Sequence, residues 1–399
     1  MGEGRRGEGN PVALPFLISL GVTMLVFWTV DIVSPAIPNL KTDLGLSAKL
    51  AGMVFAALFL GRLIGNFPAA RLVETIGAGK TGAVGAVVLG VGSFLIAIAP
   101  TIWLVLPGRM LQGVGIAFTV NAVLRSLLRN RPGRGAAITF FQFSATLGTV
   151  LGLQVGGAVT EAYGWRAVFF LSVAIAAAIC LVALFAPKAH PPMPAQTVDH
   201  DGTDQTRAIN WPAALPALGY NFLVFANYGI FMATPLYAER HFHASPKANA
   251  NLLMVITVMH LVGAFPSGRA IRTRGARPVL AIGIALSCVA MLLIPLAPST
   301  VWIAPGLAIY GLGMITASNA AGDSLLEVCG GDARAIGLLR LTCDLGLVIG
   351  PFAVGALADS YGYRAPFVVL PILSIVPILL AFRRSPAARA GVQIGAAAP

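Results

Sequence analysis

The second half of this chain repeats the first at one constant offset of 198 residues. Phe67-Pro68-x-x-Arg71 and Thr75-x-Gly77-Ala78 return as Phe265-Pro266-x-x-Arg269 and Thr273-x-Gly275-Ala276. Asn121-Ala122 and Ser126-Leu127-Leu128 return as Asn319-Ala320 and Ser324-Leu325-Leu326. Gly148-x-x-x-Gly152 returns as Gly346-x-x-x-Gly350, and Tyr163-Gly164-x-Arg166-Ala167 as Tyr361-Gly362-x-Arg364-Ala365. Chance matches would scatter among offsets, so a single register means duplication. The fold must then be built from two equivalent halves. In a membrane protein, duplicated halves usually enclose a pathway between them.

Composition places those halves in a bilayer. The chain is 57% hydrophobic and 11% charged, whereas a soluble domain carries roughly 25% charged residues. Apolar runs of roughly 20 residues, the length that crosses a membrane, recur from end to end. The pattern predicts an all-α protein of twelve spans, over residues 12–36, 49–70, 80–99, 102–125, 136–159, 166–186, 211–236, 249–268, 278–297, 300–326, 335–357 and 365–383. Residues 1–186 form one predicted six-helix bundle and 211–399 the other. The stretch 187–210, with Pro, Asp and His, reads as a cytoplasmic linker.

The net charge of +12 tempts a nucleic-acid reading, but its placement argues for topology instead. With the N-terminus inside, one set of loops holds 18 cations: Arg5, Arg6, Arg71, Lys80, Arg125, Arg129, Arg131, Arg134, Lys188, Arg207, Arg269, Arg272, Arg274, Arg277, Arg334, Arg383, Arg384 and Arg389. The opposite set holds 6: Lys41, Lys49, Arg166, Arg240, Lys247 and Arg364. Positive charge favours the cytoplasmic side, so both termini are expected there. The protein is expected to be multi-pass in a cell membrane. A preference for Arg over Lys and abundant Ala and Gly point to a GC-rich bacterial genome, hence an inner membrane. The first span follows Arg5-Arg6 but is too long for a signal peptide and lacks a small-residue cleavage site. Cys180, Cys288, Cys329 and Cys343 show neither metal spacing nor a disulfide pattern.

The loop between spans 2 and 3 reads Ala70-x-Leu72-x-Glu74-x-x-Gly77-x-Gly79-Lys80. It resembles the loop signature of the major facilitator superfamily, Gly-x-Leu-x-Asp-x-x-Gly-Arg-Lys, with Ala70 for the first Gly and Glu74 for the Asp. Glycine permits a tight turn there, and an acid is suited to the positive N-terminal end of a neighbouring helix. The resemblance implies that this neighbour is span 11, with Glu74, Gly77 and Lys80 forming a cytoplasmic gate. The second copy, Gly268-x-x-x-Arg272-x-x-Gly275-x-Arg277, puts Arg where the acid belongs, so the gate is expected on one side only.

Arg109-x-x-Gln112-Gly113-x-Gly115 in span 4 resembles a motif of proton-coupled efflux members of the superfamily. Gly148-x-x-x-Gly152-x-x-x-Gly156-Gly157 in span 5 resembles the antiporter motif, with Leu153 where Pro is usual; Gly346-x-x-x-Gly350-Pro351 in span 11 keeps the Pro. Small residues at such spacing also make a smooth stripe for close helix packing. The resemblance covers nearly the whole chain and implies the two-bundle major facilitator fold.

Ionisable residues inside a bilayer cost about 2.5–3.5 kcal/mol each on insertion scales, so each calls for a partner or a purpose. The candidates are Asp31, Arg62, Arg109, His260, Arg340 and Asp344. Asp31 in span 1 and Arg109 in span 4 share a depth and are expected to pair, as the helix-1 acid and helix-4 arginine do in the drug/proton antiporters this chain resembles. Their repeat equivalents are Gly229 and Leu307, so the charges belong to one half alone, which suits a single proton-coupling site better than static packing. Gln112 is its polar neighbour. Arg62 competes with Arg109 for Asp31, and its repeat equivalent His260 titrates in a range that permits a coupling role. Arg340 and Asp344 stand at i and i+4 and are expected to neutralise each other.

Spans 1 and 7 carry Phe27, Trp28, Asn221, Phe225, Asn227 and Tyr228, a lining suited to lipophilic molecules and capable of holding a cation. No nucleotide-binding loop is present, and no metal or cofactor is expected. The expected function is secondary active transport, as proton-coupled efflux of small lipophilic or amphipathic compounds such as drugs, with multidrug resistance as its consequence. Its partners are a small-molecule substrate, protons and the lipid bilayer; it is expected to function as a monomer. Uptake of a metabolite on the same fold is the first alternative, separated only by direction. A membrane enzyme or sensor would require clustered acids and bases at one face, or a cytoplasmic domain, and the sequence offers neither.

Overall fold

A computed structural model describes residues 13–129, 134–185, 209, 211–329, 333–376 and 379. The linker 187–210, apart from residue 209, lies outside the described residues, as do Arg5, Arg6, Arg131, Arg383, Arg384 and Arg389.

The described chain is helical from end to end, as a bilayer requires of a backbone that must bond to itself. Span 1 comprises a helix Ala13–Asp31, a 3-10 turn Ser34–Ala36 and a short helix Ile37–Asp43. Spans 2 to 6 are Ala48–Ile76, Ala78–Ala97, Ile102–Arg129, Arg134–Tyr163 and Trp165–Phe185. Span 7 is Trp211–Ala226, a turn Asn227–Gly229, then Ile230–Phe242. Spans 8 to 11 are Pro246–Arg274, Ala276–Leu293, Thr300–Cys329 and Ala333–Tyr361, and span 12 begins with Ala365–Leu373. Eleven helices are long and apolar enough to cross a membrane among the described residues. Spans 1 and 7 run past their expected ends. Pro35 and Pro38 each sit in the first turn of a new helical segment, where the missing N–H costs nothing.

The repeat is visible in the punctuation. Ser47 and Ser245 cap spans 2 and 8 by accepting from the amides of Leu50, at 3.2 Å, and Ala248, at 3.3 Å. Gly77 and Gly275, and likewise Gly164 and Gly362, turn the chain between spans at φ from +81° to +86°, a conformation that suits Gly.

Small residues set the packing within each half. A Cβ on Gly148, Gly152 or Gly156 of span 5 would collide with the backbone carbonyls of Met24, Trp28 or Ile32 in span 1. Gly346 and Gly350 of span 11 press in the same way on Phe222 and Ala226 of span 7. The halves meet through span 2 on span 11 and span 5 on span 8. A Cβ on Gly52 would strike the carbonyl of Pro351, one on Gly355 that of Ala48, and one on Gly157 would lie 2.6 Å from Ala250 Cβ. These contacts lie toward the surface that carries Lys41, Lys49, Arg240 and Lys247, the cation-poor side of the molecule.

Candidate functional site

Among the described residues, three groups of charged side chains lie in the apolar interior. The first is held within the N-terminal half. Arg109 is 1% exposed. Its Nε donates to the carbonyl of Val54 in span 2, at 3.1 Å, and a terminal nitrogen donates to Gln112 Oε1, at 2.9 Å. Gln112 Nε2 donates to Ser93 Oγ of span 3, at 2.8 Å. Spans 2, 3 and 4 come close enough for this because their contacts are glycine on backbone, Gly61 on Met110 and Gly113 on Leu58 between spans 2 and 4, and Gly92 on Gly108 between spans 3 and 4. The repeat equivalents Leu307, Tyr310 and Met291 carry no such charge; Tyr310 instead donates to the carbonyl of Asn227, at 2.7 Å.

The second group is Asp31, 4% exposed at the end of the first helix of span 1. Thr149 of span 5 donates its hydroxyl to Asp31 Oδ2 at 3.4 Å. Arg109 and Arg62 are the cations whose fields reach it, but among the described residues no cation lies within ion-pair distance of its carboxylate. The expected Asp31–Arg109 pair is therefore not formed. Arg109 is already bonded to Val54 and Gln112, and Arg62 has turned to the other half.

The third group crosses between halves. Arg62 of span 2 pairs with Asp344 of span 11, which also accepts from Asn66 Nδ2 at 3.3 Å. Asn121 of span 4 donates to Asn66 Oδ1 at 3.1 Å. This corrects the expected Arg340–Asp344 pairing within span 11. Spans 2 and 11 approach closely enough for Arg62 to reach the carboxylate, and Arg340 stays exposed. Asn66, Asn121 and Thr149 were missed as site residues, although polar side chains mid-span were the signal available.

Aromatic residues adjoin this centre. The guanidinium of Arg62 lies 4.9 Å above the ring of Phe59. Phe59 meets Tyr228 of the other half edge-on, at 6.3 Å, and Tyr228 stacks on Phe231 at 4.9 Å. Other expected lining residues have been drawn into helix packing. Phe27 sets its edge against Phe141, and Phe225 lies under Gly346. Asn221 donates to Thr342 at 2.6 Å, and Asn227 turns toward span 12, donating to Ser374 at 2.8 Å. Trp28 Nε1 and His260 Nε2 are buried with no hydrogen-bond partner among the described residues. A cavity of about 490 Å³ opens below Asp344 on the cation-rich side, lined by Asn66, Phe67, Trp211, Leu338, Arg340 and Asp344 among others.

The expected gate is described on one side only, because residues 330–332, which lead into span 11, lie outside the described residues. Glu74 is exposed and lies 3.9 Å from Arg125 of its own half. On the opposite surface Arg166 binds Asp43 at 2.5 Å and the carbonyl of Ala99 at 3.2 Å, tying the start of span 6 to span 1 and to the turn after span 3.

The sequence profile of the Major Facilitator Superfamily matches residues 19–329 and 216–398. This chain belongs to the Major Facilitator Superfamily. That family is one of transporters and not of enzymes. The fold of this chain is that of a bacterial homologue of the human lysosomal transporter Spinster in an inward-facing, occupied conformation, with a TM-score of 0.76 over 94% of this chain and 97% of that one at 16% identity. The nucleoside transporter NupG gives a TM-score of 0.72 over 92% of this chain and 99% of that one, at 14% identity. Sequence relatives diverge in function. Multidrug resistance protein Stp of Mycobacterium tuberculosis is 25% identical over 179 residues, 44% of this chain and 33% of that protein. Putative metabolite transport protein YwtG of Bacillus subtilis is 28% identical over 177 residues, 44% of this chain and 38% of that protein. The matches thus span little more than a third of the relatives' own length.

Proposed function

We propose that this superfamily member is a proton-coupled exporter of small lipophilic or amphipathic compounds, with Asp31 as the proton acceptor. The observation that carries the reading is the state of Asp31: a buried carboxylate held by one hydroxyl at 3.4 Å, with Arg109 and Arg62 nearby in field but bonded elsewhere. A static structural carboxylate would be expected to hold a partner at contact distance. One that must gain and lose a proton is better served by a cation close enough to favour the charged form and too far to lock it. The absence of an equivalent acid at Gly229 fits a single coupling site. Phe59 and Phe231 are buried and Tyr228 half-buried in this conformation, so their ring faces would meet an apolar or cationic cargo as the halves part.

By the positive-inside rule the cation-poor side is extracellular, the termini are cytoplasmic, and the conformation is inward-facing. Alternating access then requires spans 2 and 11, and 5 and 8, to part at that side. The name of YwtG keeps uptake of a metabolite as the second reading; Stp favours efflux.

The test is cargo-induced proton release from purified protein, wild type beside Asp31→Asn, over a panel of lipophilic cations and neutral antibiotics. Release in wild type and none in the variant is the expected result. A compound that binds both proteins equally and releases no proton would remove Asp31 from coupling and put uptake ahead.

A further inference from the structure

The two candidate partners of Asp344 belong to different helices. Arg62 holds it from the opposite half. Arg340 lies one turn away on its own helix and lines the same cavity of about 490 Å³, at a spacing where side chains on a helix are neighbours. Arg340 is exposed and is in no ion pair among the described residues. We infer that Asp344 exchanges partners during transport: Arg62 across the interface while the cation-poor side is closed, Arg340 within span 11 once that side opens.

The reasoning starts from what separation would do. Spans 2 and 11 touch so closely at Gly52–Pro351 and Gly355–Ala48 that opening this side must carry span 2 away from span 11. The Arg62–Asp344 pair lies on those same two spans. With the pair formed, the side chain of Arg62 is 24% exposed and that of Asp344 6%, so Asp344 is the deeper charge and the one that loses more when its partner leaves. A buried carboxylate without a counter-ion is strongly unfavourable, and this would hold the halves together. Arg340 removes the obstacle, because it moves with span 11 and reaches Asp344 by side-chain rotation alone. The device is one-sided: the repeat positions of Arg62, Asp344 and Arg340 are His260, Thr146 and Gln142. Arg340 is thus a positioning residue, acting through Asp344. The inference rests on alternating access, a property of the secondary-transport fold, and on neither cargo nor proton.

The experiment needs no cargo. Ala48 is 0% exposed in the closed interface. In a background lacking Cys180, Cys288, Cys329 and Cys343, labelling of Ala48→Cys by a membrane-impermeant maleimide in oriented vesicles reports the open fraction as a rate. Arg340→Gln should slow labelling about tenfold and Arg340→Lys should not. Asp344→Asn should speed it, and Arg340→Gln combined with Asp344→Asn should label as Asp344→Asn does, since no charge is left to neutralise. Equal rates for wild type and Arg340→Gln would overturn the exchange. So would slowing by Arg340→Gln in the Asp344→Asn background, which would mean that Arg340 acts through another group.

Discussion

Asp359, at the end of span 11, accepts the backbone amide of Ala48 through one oxygen, at 2.7 Å, and that of Lys49 through the other, at 2.8 Å. The acid of one half thereby closes the N-terminus of a helix in the other. Its repeat equivalent Glu161, at the end of span 5, accepts the amide of Lys247 at 3.2 Å, at the start of span 8. The duplication has made two latches related by the same 198-residue offset. Each places a negative charge where the first amides of a helix are unpaired and its dipole is positive.

The Asp359 latch is the stronger, with two backbone amides at 2.7 and 2.8 Å against one at 3.2 Å for Glu161, which the Ser245 hydroxyl supplements. Asp359→Ala is therefore expected to shift the conformational equilibrium toward opening of the cation-poor side by roughly five-fold, the scale of losing a helix N-cap. Glu161→Ala should shift it less. Spin labels at Thr42→Cys and Arg240→Cys, exposed positions on opposite halves, would read this as growth of the longer distance population. Equal responses from both variants would contradict the asymmetry.

Gly355 and Gly52 act one helical turn nearer the membrane. A methyl at either would meet a backbone carbonyl of the facing helix, which cannot rotate aside. Gly355→Ala should therefore hold spans 2 and 11 apart at that end and leave each half folded. A single methyl matters in a close-packed contact. The expected result is an outward-shifted population with a melting temperature near that of wild type. Gly21→Ala is the control, since nothing lies within 4 Å of its added Cβ. A closed population in Gly355→Ala matching wild type would show that the contact can give way.

How much of this was legible in the sequence follows from what sequence distance encodes. The offset located both halves, and the Gly148-x-x-x-Gly152-x-x-x-Gly156 stripe identified a packing face. Depth along a helix follows from a rise of about 1.5 Å per residue, which placed Asp31 and Arg109 at one level. Depth does not give azimuth, and Arg109 was bonded to Val54, a backbone carbonyl with no mark in the sequence. Arg340 and Asp344 show the same limit. A neighbour at i+4 is always visible, whereas Arg62, 282 residues away, becomes the partner only when two halves close. Asn227 was read as cavity lining because it lies among aromatics, but the 3-10 turn at Asn227–Gly229 points its amide to Ser374.

The Arg109 network separates structure from coupling. Gln112 bridges Arg109 and Ser93, and Gln112→Leu would leave one guanidinium donor buried and unpaired. A hydrogen bond to a charged group contributes about 1.5–3 kcal/mol, so a fall in melting temperature is expected. Arg109→Lys should destabilise as well, because a single ammonium cannot reproduce the planar fork that reaches Val54 and Gln112 together. If both variants melt as wild type does, the network is not structural and its loss should be sought in transport alone.

Tyr228 is the last residue whose role can be separated by a conservative pair of variants. Its ring, not its hydroxyl, makes the described contacts: stacked on Phe231 at 4.9 Å and edge-on to Phe59 of the other half at 6.3 Å. Aromatic contacts of this kind contribute about 0.5–1.5 kcal/mol each beyond buried area. An aromatic cargo bound between the halves would replace or extend the contact with Phe59. Tyr228→Leu is then expected to weaken binding of a fluorescent lipophilic cation several-fold, while Tyr228→Phe binds as wild type does. Phe59→Leu should mimic Tyr228→Leu, since each removes one side of the same aromatic gap. Loss of binding in Tyr228→Phe as large as in Tyr228→Leu would assign the contribution to the hydroxyl and exclude the ring faces as the cargo surface.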